Sequence, residues 1–177
     1  MVSLSPSEDR ALSDTANRLG VNKNTLFNLI NFESNWNPNA KNPYSSARGL
    51  IQFIDLTARG MGYSSSADLV AKNPTIEQQL RGPVYQYLKP YSPFPTQQSL
   101  YMSVFYPSYR KVHPQTPFPS SVQKVNPNIR VVQDYVDKVN RKSGDYVIKG
   151  GIGLGTLMIL ALMYYYRKPL MKSLKIS

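Results

Sequence analysis

Glu33 is the residue of this chain whose surroundings in the sequence best suit acid–base chemistry. Leu26, Leu29 and Ile30 recur at helical spacing, and Glu33 falls on the same predicted face. Its carboxyl group would therefore end an apolar stripe in the last turn of a helix. Burial and the negative end of the helix dipole both disfavour the charged form, so we expect a raised pKa, as a general acid near neutral pH requires. A surface glutamate at a frayed helix end is the alternative that the helix alone leaves open.

A second group of polar residues follows Glu33 at short range. Residues 35–46 are rich in Asn, Pro and Ser, which predicts a structured loop along one side of a cleft. The next stretch, residues 47–57, carries Gly49, where another backbone or a sugar can approach closely, and Gln52, whose amide can both donate and accept. Gln52 is either a substrate contact or a buried amide bonded to the main chain, and the sequence leaves both open.

An ordered set of residues joins these two stretches. Along the chain it comprises Glu33-Ser34, Trp36, Pro38, Ala40, Ala47, Gly49-Leu50, Gln52 and Thr57-Ala58. The set resembles the signature of the lytic transglycosylases, lysozyme-like enzymes that cut the glycan strands of peptidoglycan. This resemblance implies a mainly α fold with a lysozyme-like (SLT-type) helical domain, Glu33 as the catalytic residue and peptidoglycan glycan strands as the substrate.

The resemblance also implies a mechanism with one carboxyl group, although most glycoside hydrolases use two. Downstream of Glu33 the catalytic segment offers only Asp55, Asp68 and Glu77, and the position of Asp55 predicts a helix N-cap. In lytic transglycosylases a single Glu acts first as an acid and then as a base on the substrate's own 6-hydroxyl. The product is a 1,6-anhydro ring, and no water is consumed. A second catalytic carboxylate is therefore not expected.

We assign substrate contacts to Ser34, Ser46, Gln52 and Tyr106. Three positions depart from the family pattern, since Ser46 stands where Gly is usual, Asp55 stands where Pro is common, and Tyr106 is followed by Pro107 where Asn is usual. Ordinary core and turn structure is the other interpretation of the aromatic residues around Tyr106. Three later stretches look more similar to the phage-borne branch of the family, namely residues 100–107, 126–129 and 134–136.

The elements that must position these residues are helices. Ser5-Pro6-Ser7-Glu8 predicts a capping box with proline at the first helical position, and Leu19-Gly20 predicts the end of this first helix. Further helices are predicted at residues 24–33, 55–61, 66–71, 75–89, 97–105 and 129–139. Strand signals are nearly absent. The proline-rich and aromatic region 89–127 is predicted to wrap irregularly over the helical core.

The C-terminal part of the chain has a different composition. The 17 residues 150–166 contain no charge, and with residues 147–149 the apolar stretch reaches 20, which matches the hydrocarbon core of a bilayer. Three tyrosines end the stretch and basic residues follow, as is typical of a membrane interface. We expect a catalytic domain at residues 1–142, a linker at 143–146, a transmembrane helix at 147–166 and a basic tail at 167–177. A buried soluble helix is the alternative.

The net charge of the chain and its N-terminal residues indicate which partners and which cellular compartment to expect. The net charge of +11 divides into +6 for residues 1–145 and +5 for residues 146–177. Basic residues beside a membrane favour anionic lipid headgroups, whereas nucleic acid is not expected to be bound specifically. The first seven residues lack the basic and apolar regions of a signal peptide. The expected setting is the virion membrane of a membrane-containing phage, with a single-pass C-terminal anchor and other virion membrane or capsid proteins as further partners.

Several classes of site find no support in the sequence. The chain has no Cys and a single His, His113, so neither a disulfide nor a metal site is expected, and no cofactor is expected either. Three hypotheses remain. The first is a virion-associated lytic transglycosylase that assists genome entry; the second is an inactive lysozyme-like module that binds the wall or stabilises the virion; the third is a water-using muramidase with Asp55 as its second carboxylate.

Overall fold

The computed structural model describes residues 2–144 of the chain, with side chains up to residue 141. Within that range the helices are α1 (Pro6–Leu19), α2 (Lys23–Ser34), α3 (Asp55–Gly60), α4 (Ser66–Lys72), α5 (Ile76–Gln79), α6 (Tyr85–Leu88), α7 (Gln97–Phe105), α8 (Ser120–Val125) and α9 (Val132–Gly144). Extended pairing in the same range is confined to isolated bridges. The mainly α fold is thus confirmed.

The predicted membrane helix at residues 147–166 and the basic tail at 167–177 lie outside the described residues, as does the end of the predicted linker at 143–146. Between residues 2 and 144, no helix combines the length and the apolar character that crossing a bilayer requires. The division of the chain into four parts stays a prediction.

The first two helices begin and end through local capping. Ser5 caps α1, where its side chain accepts from the Glu8 amide and the Glu8 side chain accepts from the Ser5 amide, and Gly20 ends the helix in the left-handed conformation. The predicted capping box is therefore confirmed. Asn22 caps α2 with its side-chain oxygen, and Asn35 closes that helix at φ 54°. These caps fix the ends of α1 and of α2, and α2 carries Glu33.

The predicted helix at residues 75–89 is interrupted. α5 and α6 are separated by a wide helical turn, Leu80–Val84, in which Gly82 has non-helical angles of φ −98° and ψ −105°. The cause is Pro83, which lacks an N–H to donate and disfavours the helical conformation of the residue before it.

The prediction that Asp55 is the N-cap of α3 is wrong. Ile54 occupies the cap position and Asp55 is the first residue of the helix. The Asp55 amide instead donates to the Ser46 hydroxyl at 3.1 Å. The Asp55 carboxylate is free to face α4, where it accepts from the amide and hydroxyl of Ser66 at 2.9 and 2.8 Å. Asp55 therefore supplies a hydrogen-bond acceptor to the first residue of α4, Ser66.

Region 89–127 covers the helical core as predicted, but it is more regular than expected. It contains α7 at its predicted bounds and also α8, which was not predicted. The amide of Phe118 donates to the Arg130 carbonyl at 2.8 Å, which ties this region to the chain just before α9. α9 begins three residues later than predicted. The reason is that Ile129 lies in a turn, in which its amide donates to the Asn126 carbonyl at 2.9 Å.

The core lies where α2, α7 and α9 meet. Leu26 and Leu29 of α2, Leu100 and Tyr101 of α7 and Tyr135 of α9 are each fully buried. The end of α2, which carries Glu33, is thus fixed by packing on two sides.

Candidate active site

Glu33 occupies the buried end of α2. Only 9% of its surface is exposed, and Leu26, Leu29 and Ile30 on the same helix are fully buried, so the predicted apolar stripe is confirmed. The chain then turns sharply, because Asn35 and Trp36 both adopt positive φ angles of 54° and 61°. A positive φ is unfavourable for a residue as large as Trp, and it persists only where the surrounding structure holds it. Strained backbone therefore begins directly after the candidate acid.

Tyr135 of α9 is the hydrogen-bond partner of Glu33. Its hydroxyl donates to Glu33 Oε1 at 2.7 Å across 102 residues of sequence. The phenol ring is stacked on Phe105 with centroids 4.4 Å apart and meets the edge of Phe32 at 5.4 Å, so it has little freedom to turn away. Burial, reinforced by the adjacent Glu33 carboxylate, raises the pKa of Tyr135 well above its ordinary value. Tyr135 therefore stays protonated and acts only as a donor to Glu33.

A second buried phenol, that of Tyr87, lies within electrostatic reach of Glu33. Burial is the main cause that raises the pKa of Tyr87 well above its ordinary value, and the Glu33 charge is among the smaller causes. The Tyr87 hydroxyl donates to the Ser103 carbonyl at 2.8 Å. The surroundings of Glu33 thus include two buried phenols that stay protonated.

Gln52 is a buried amide bonded to the main chain, which is one of the two alternatives that its sequence left open, and a substrate contact stays a prediction. It is 4% exposed and adopts a positive φ of 55°. Its Nε2 donates to the Gly49 carbonyl at 3.0 Å, which is a main-chain bond. Its Oε1 is buried and finds no hydrogen-bond donor within the described part of the chain. Leaving a buried acceptor unpaired costs about 1–3 kcal/mol, so this oxygen would gain from any donor that reached it.

Gly49 is needed for a contact within the protein. Its φ is +76°, and a Cβ at this position would lie 2.6 Å from Gln79 Oε1. The group that approaches Gly49 is therefore the Gln79 side chain. Gln79 is fully buried and accepts from the Leu50 amide at 2.9 Å while donating to the carbonyls of Pro38 at 2.7 Å and Asn73 at 3.0 Å. One amide thus joins three segments of the candidate site.

The other predicted contact residues have partners within the protein. The buried Ser34 donates from its hydroxyl to the Ile30 carbonyl at 3.2 Å. Ser46 accepts from the Asp55 amide, as described above, and is half-buried. Tyr106 is 2% exposed, with its ring 4.6 Å from Tyr109 in an edge contact. Their role in substrate binding stays a prediction.

The three acids that follow Glu33 within the catalytic segment, Asp55, Asp68 and Glu77, all have structural partners. Hydrogen bonds from Ser66 hold the pKa of Asp55 below its usual range. Hydrogen bonds, first from the Ser64 amide, do the same for the pKa of Asp68. For Glu77, a hydrogen bond from its own amide is the first cause of a lowered pKa. None of these carboxyl groups has the raised pKa of a general acid near neutral pH. Across residues 2–144, no group of three or more His, Cys, Asp or Glu side chains is arranged to hold a metal ion.

Sequence reasoning missed two residues that organise this site. Tyr135 was noted only within a stretch similar to phage proteins, and Gln79 was not noted at all. No local sequence pattern indicates either role, because each side chain bonds to a residue that is distant in sequence. Tyr135 and Glu33 are 102 residues apart, and Gln79 and Pro38 are 41 residues apart.

One of the comparisons with known proteins found a match. Residues 11–80 match the family model described as the Transglycosylase SLT domain. The match spans α1 to α5, with Glu33, Ser34, Ser46, Gln52 and Gln79, and ends before Tyr106 and Tyr135. Searches of curated proteins and of solved structures found no match. Through residues 11–80 the chain is thus similar to the SLT, lysozyme-like family of lytic transglycosylases, which supports a peptidoglycan-degrading function.

Proposed function

We propose that this protein is a peptidoglycan lytic transglycosylase that cleaves the β-1,4 bond between N-acetylmuramic acid and N-acetylglucosamine. The observation that carries the proposal is the buried Glu33 carboxyl group, which lies within the SLT match and accepts a 2.7 Å hydrogen bond from the Tyr135 hydroxyl. A buried carboxyl group that is held in place suits a one-glutamate mechanism.

Glu33 has two successive tasks in this mechanism. As an acid it donates its proton to the glycosidic oxygen, so that the bond to the anomeric carbon breaks and the leaving sugar regains a hydroxyl group. As a carboxylate it then removes the proton from the 6-hydroxyl of the muramic sugar, whose oxygen forms the new bond to the anomeric carbon. The proton balance closes, since Glu33 ends protonated and the 1,6-anhydro ring forms without water.

The neighbouring groups support these tasks in different ways. Tyr135 orients the carboxyl group and stabilises its ionised form between the two steps, because its hydroxyl stays protonated. Gln52 Oε1, buried and without a donor among the described residues, suits an N–H or O–H of the sugar. Ser34, Ser46 and Tyr106 stay in the proposal as residues that line the substrate path.

The cellular setting is part of the same proposal. The uncharged residues 150–166 would anchor the protein in a lipid bilayer, with the basic tail beyond them. The setting we favour is the virion membrane of a membrane-containing phage, where the enzyme would assist genome entry beside other virion membrane or capsid proteins. Its support is the similarity of residues 100–107, 126–129 and 134–136 to phage-borne members.

Product analysis tests the proposal. Purified peptidoglycan is digested with the protein, and the muramic ends are identified by mass spectrometry. We expect 1,6-anhydro ends. Reducing ends would assign the protein to the water-using muramidases, and intact glycan would indicate an inactive wall-binding module.

A further inference from the structure

Residues 41–48 form a short hairpin between Glu33 and Gln52. The Asn42 amide donates to the Ala47 carbonyl at 2.9 Å, and the Gly49 amide donates to the Ala40 carbonyl at 2.9 Å. The bridge between Lys41 and Arg48 lies between these two bonds. It is therefore a pair that exchanges no hydrogen bonds itself, the kind in which facing side chains lie closest together and on the same face.

This pair places two positive charges opposite each other. Like charges at directly opposed positions destabilise a hairpin. The ion pairs in the described part of the chain involve Lys23, Arg59, Lys72 and Arg81, and neither Lys41 nor Arg48 is among them, although the Asp55 carboxylate lies within electrostatic reach of Arg48. Lys41 is exposed and Arg48 is half-buried. An anion bound at this face would relieve the repulsion and would meet both cations at once.

The tip of the same hairpin presents an aromatic ring to solvent. The Tyr44 side chain is 67% exposed. Among the described residues, the only other exposed large apolar side chain is that of Val125, at 37%. The tip is nevertheless well held. The amide of Tyr44 donates at 2.8 Å to Asn42 Oδ1, Asn42 itself is 1% exposed, and Ser45 Oγ accepts from the Ala47 amide at 3.2 Å. An exposed ring on a backbone that is held in this way can bind a ligand with a smaller loss of backbone entropy.

The hairpin is also joined firmly to the candidate site. Arg48 and Phe53 exchange both main-chain hydrogen bonds, at 3.0 and 2.7 Å, so the hairpin continues into the turn that carries Gln52. On its other side, residues 35–40 lead directly from the end of α2. The hairpin therefore connects the end of α2, which carries Glu33, to the turn that carries Gln52.

We propose that the hairpin of residues 41–48 is an ancillary binding element for the carboxylate-bearing peptide stem of peptidoglycan. This inference rests on the proposed function. The acetylated sugars of the glycan strand are uncharged, whereas the stem attached to each muramic sugar ends in carboxylates. The facing Lys41 and Arg48 match those carboxylates, and the ring of Tyr44 matches the apolar side of the stem.

The test compares uncross-linked glycan strands with their stems intact and the same strands after an amidase has removed the stems. Full-length protein is used, and both affinity and cleavage rate are measured. The variants are Lys41→Ala and Tyr44→Ala, with Lys111→Ala as a control that removes an exposed lysine outside the hairpin. We expect each hairpin variant to bind stem-bearing strands about two- to five-fold more weakly, the size of a surface charge contact, with no change for stripped strands. The control should alter neither.

Two results would overturn the inference: equal effects of the hairpin variants on both kinds of strand, or no effect on either. A stronger affinity of the hairpin for a phosphate-rich wall polymer than for stem-bearing strands would also count against it. Failure of the proposed function looks different, since the wild-type protein would then cleave neither kind of strand. The affinity measurements would still decide the role of the hairpin.

Discussion

The hydroxyl of Tyr135 in α9 donates a 2.7 Å hydrogen bond to the carboxyl group of Glu33 at the end of α2. α9 lies outside the segment that matches the SLT family model, yet it supplies the direct partner of the candidate acid. The hydrogen bond to Glu33 therefore forms only when α9 packs against α2. We therefore expect the chemistry of Glu33 to depend on α9 as well as on the segment that matches the family model.

Replacement of Tyr135 by phenylalanine tests this contact. The ring stacking on Phe105 should be kept, but Glu33 loses a donor that favours its ionised form. We expect kcat/KM to fall by about ten-fold or more, in line with about 1.5–3 kcal/mol for a hydrogen bond to a charged group. The pH above which activity declines should move upward, because the acid holds its proton longer. A pH–rate profile measures both effects.

Tyr101→Phe is the matched control for that experiment. It also removes a buried phenol hydroxyl, but one that donates to Asn140 Oδ1 at 3.0 Å. Burial raises the pKa of Tyr101 to about 12, so the group is neutral throughout the range of the assay. Tyr101→Phe should lower stability without moving the pH profile. An identical shift in both variants would contradict a specific role for Tyr135.

Gln79→Ala should destabilise the fold strongly. The variant removes an amide that bonds Leu50, Pro38 and Asn73, and it leaves buried main-chain groups unpaired. We expect a loss of about 2–4 kcal/mol in the free energy of unfolding, measured by urea denaturation. Gln78→Ala, at the exposed neighbouring position, should cost about 1 kcal/mol or less through its weakened cap. Equal losses would show that Gln79 does not organise the site.

Asp55→Asn should affect stability and leave the chemistry unchanged. Hydrogen bonds from Ser66 lower the pKa of Asp55, so its contribution is present above its ordinary pKa of 3.8 and is lost as the pH falls through the lower folded value. We expect the variant to be less stable by about 1 kcal/mol at pH 7, with the difference from wild type vanishing at strongly acidic pH. Denaturation at several pH values measures this. The anhydro product should persist, and its replacement by another product would implicate Asp55 in catalysis.

The proposed membrane anchor can be tested by shortening the chain. A protein that ends at Gly144, the last residue of α9, should remain in solution without detergent and should cleave glycan, because the described helices enclose their own core. The full chain should need detergent, since residues 147–166 match the thickness of a bilayer. Light scattering measures the difference. A monodisperse full chain in plain buffer would contradict the anchor.

Local features of the fold could be predicted where the physical cause is local. The capping box of Ser5 and Glu8 lies within one helical turn, and the α2 stripe depends on residues three or four apart. The break at Gly82 also had a visible cause in Pro83, so the prediction of one helix at residues 75–89 gave too little weight to proline.

Tertiary features could not be predicted in this way. The carboxylate of Asp55 has two local options, a cap for its own helix or a bond to Ser66, and only the folded arrangement of α3 and α4 decides between them. The contact between Tyr135 and Glu33 spans 102 residues and leaves no periodic trace in the sequence. The motif thus predicted Glu33 as the candidate acid, whereas its hydrogen-bond donor, Tyr135, is visible only in the folded structure.

The most direct test of the account is the rate at which Glu33→Gln releases 1,6-anhydro products from purified peptidoglycan. The amide keeps the shape of the side chain but has no proton to transfer, so we expect a fall of at least about 100-fold, within the usual worth of a general acid. The melting temperature of the variant shows whether the fold is kept. A correctly folded Glu33→Gln protein that retains more than about a hundredth of the wild-type rate would contradict the assignment of Glu33 as the catalytic acid and base.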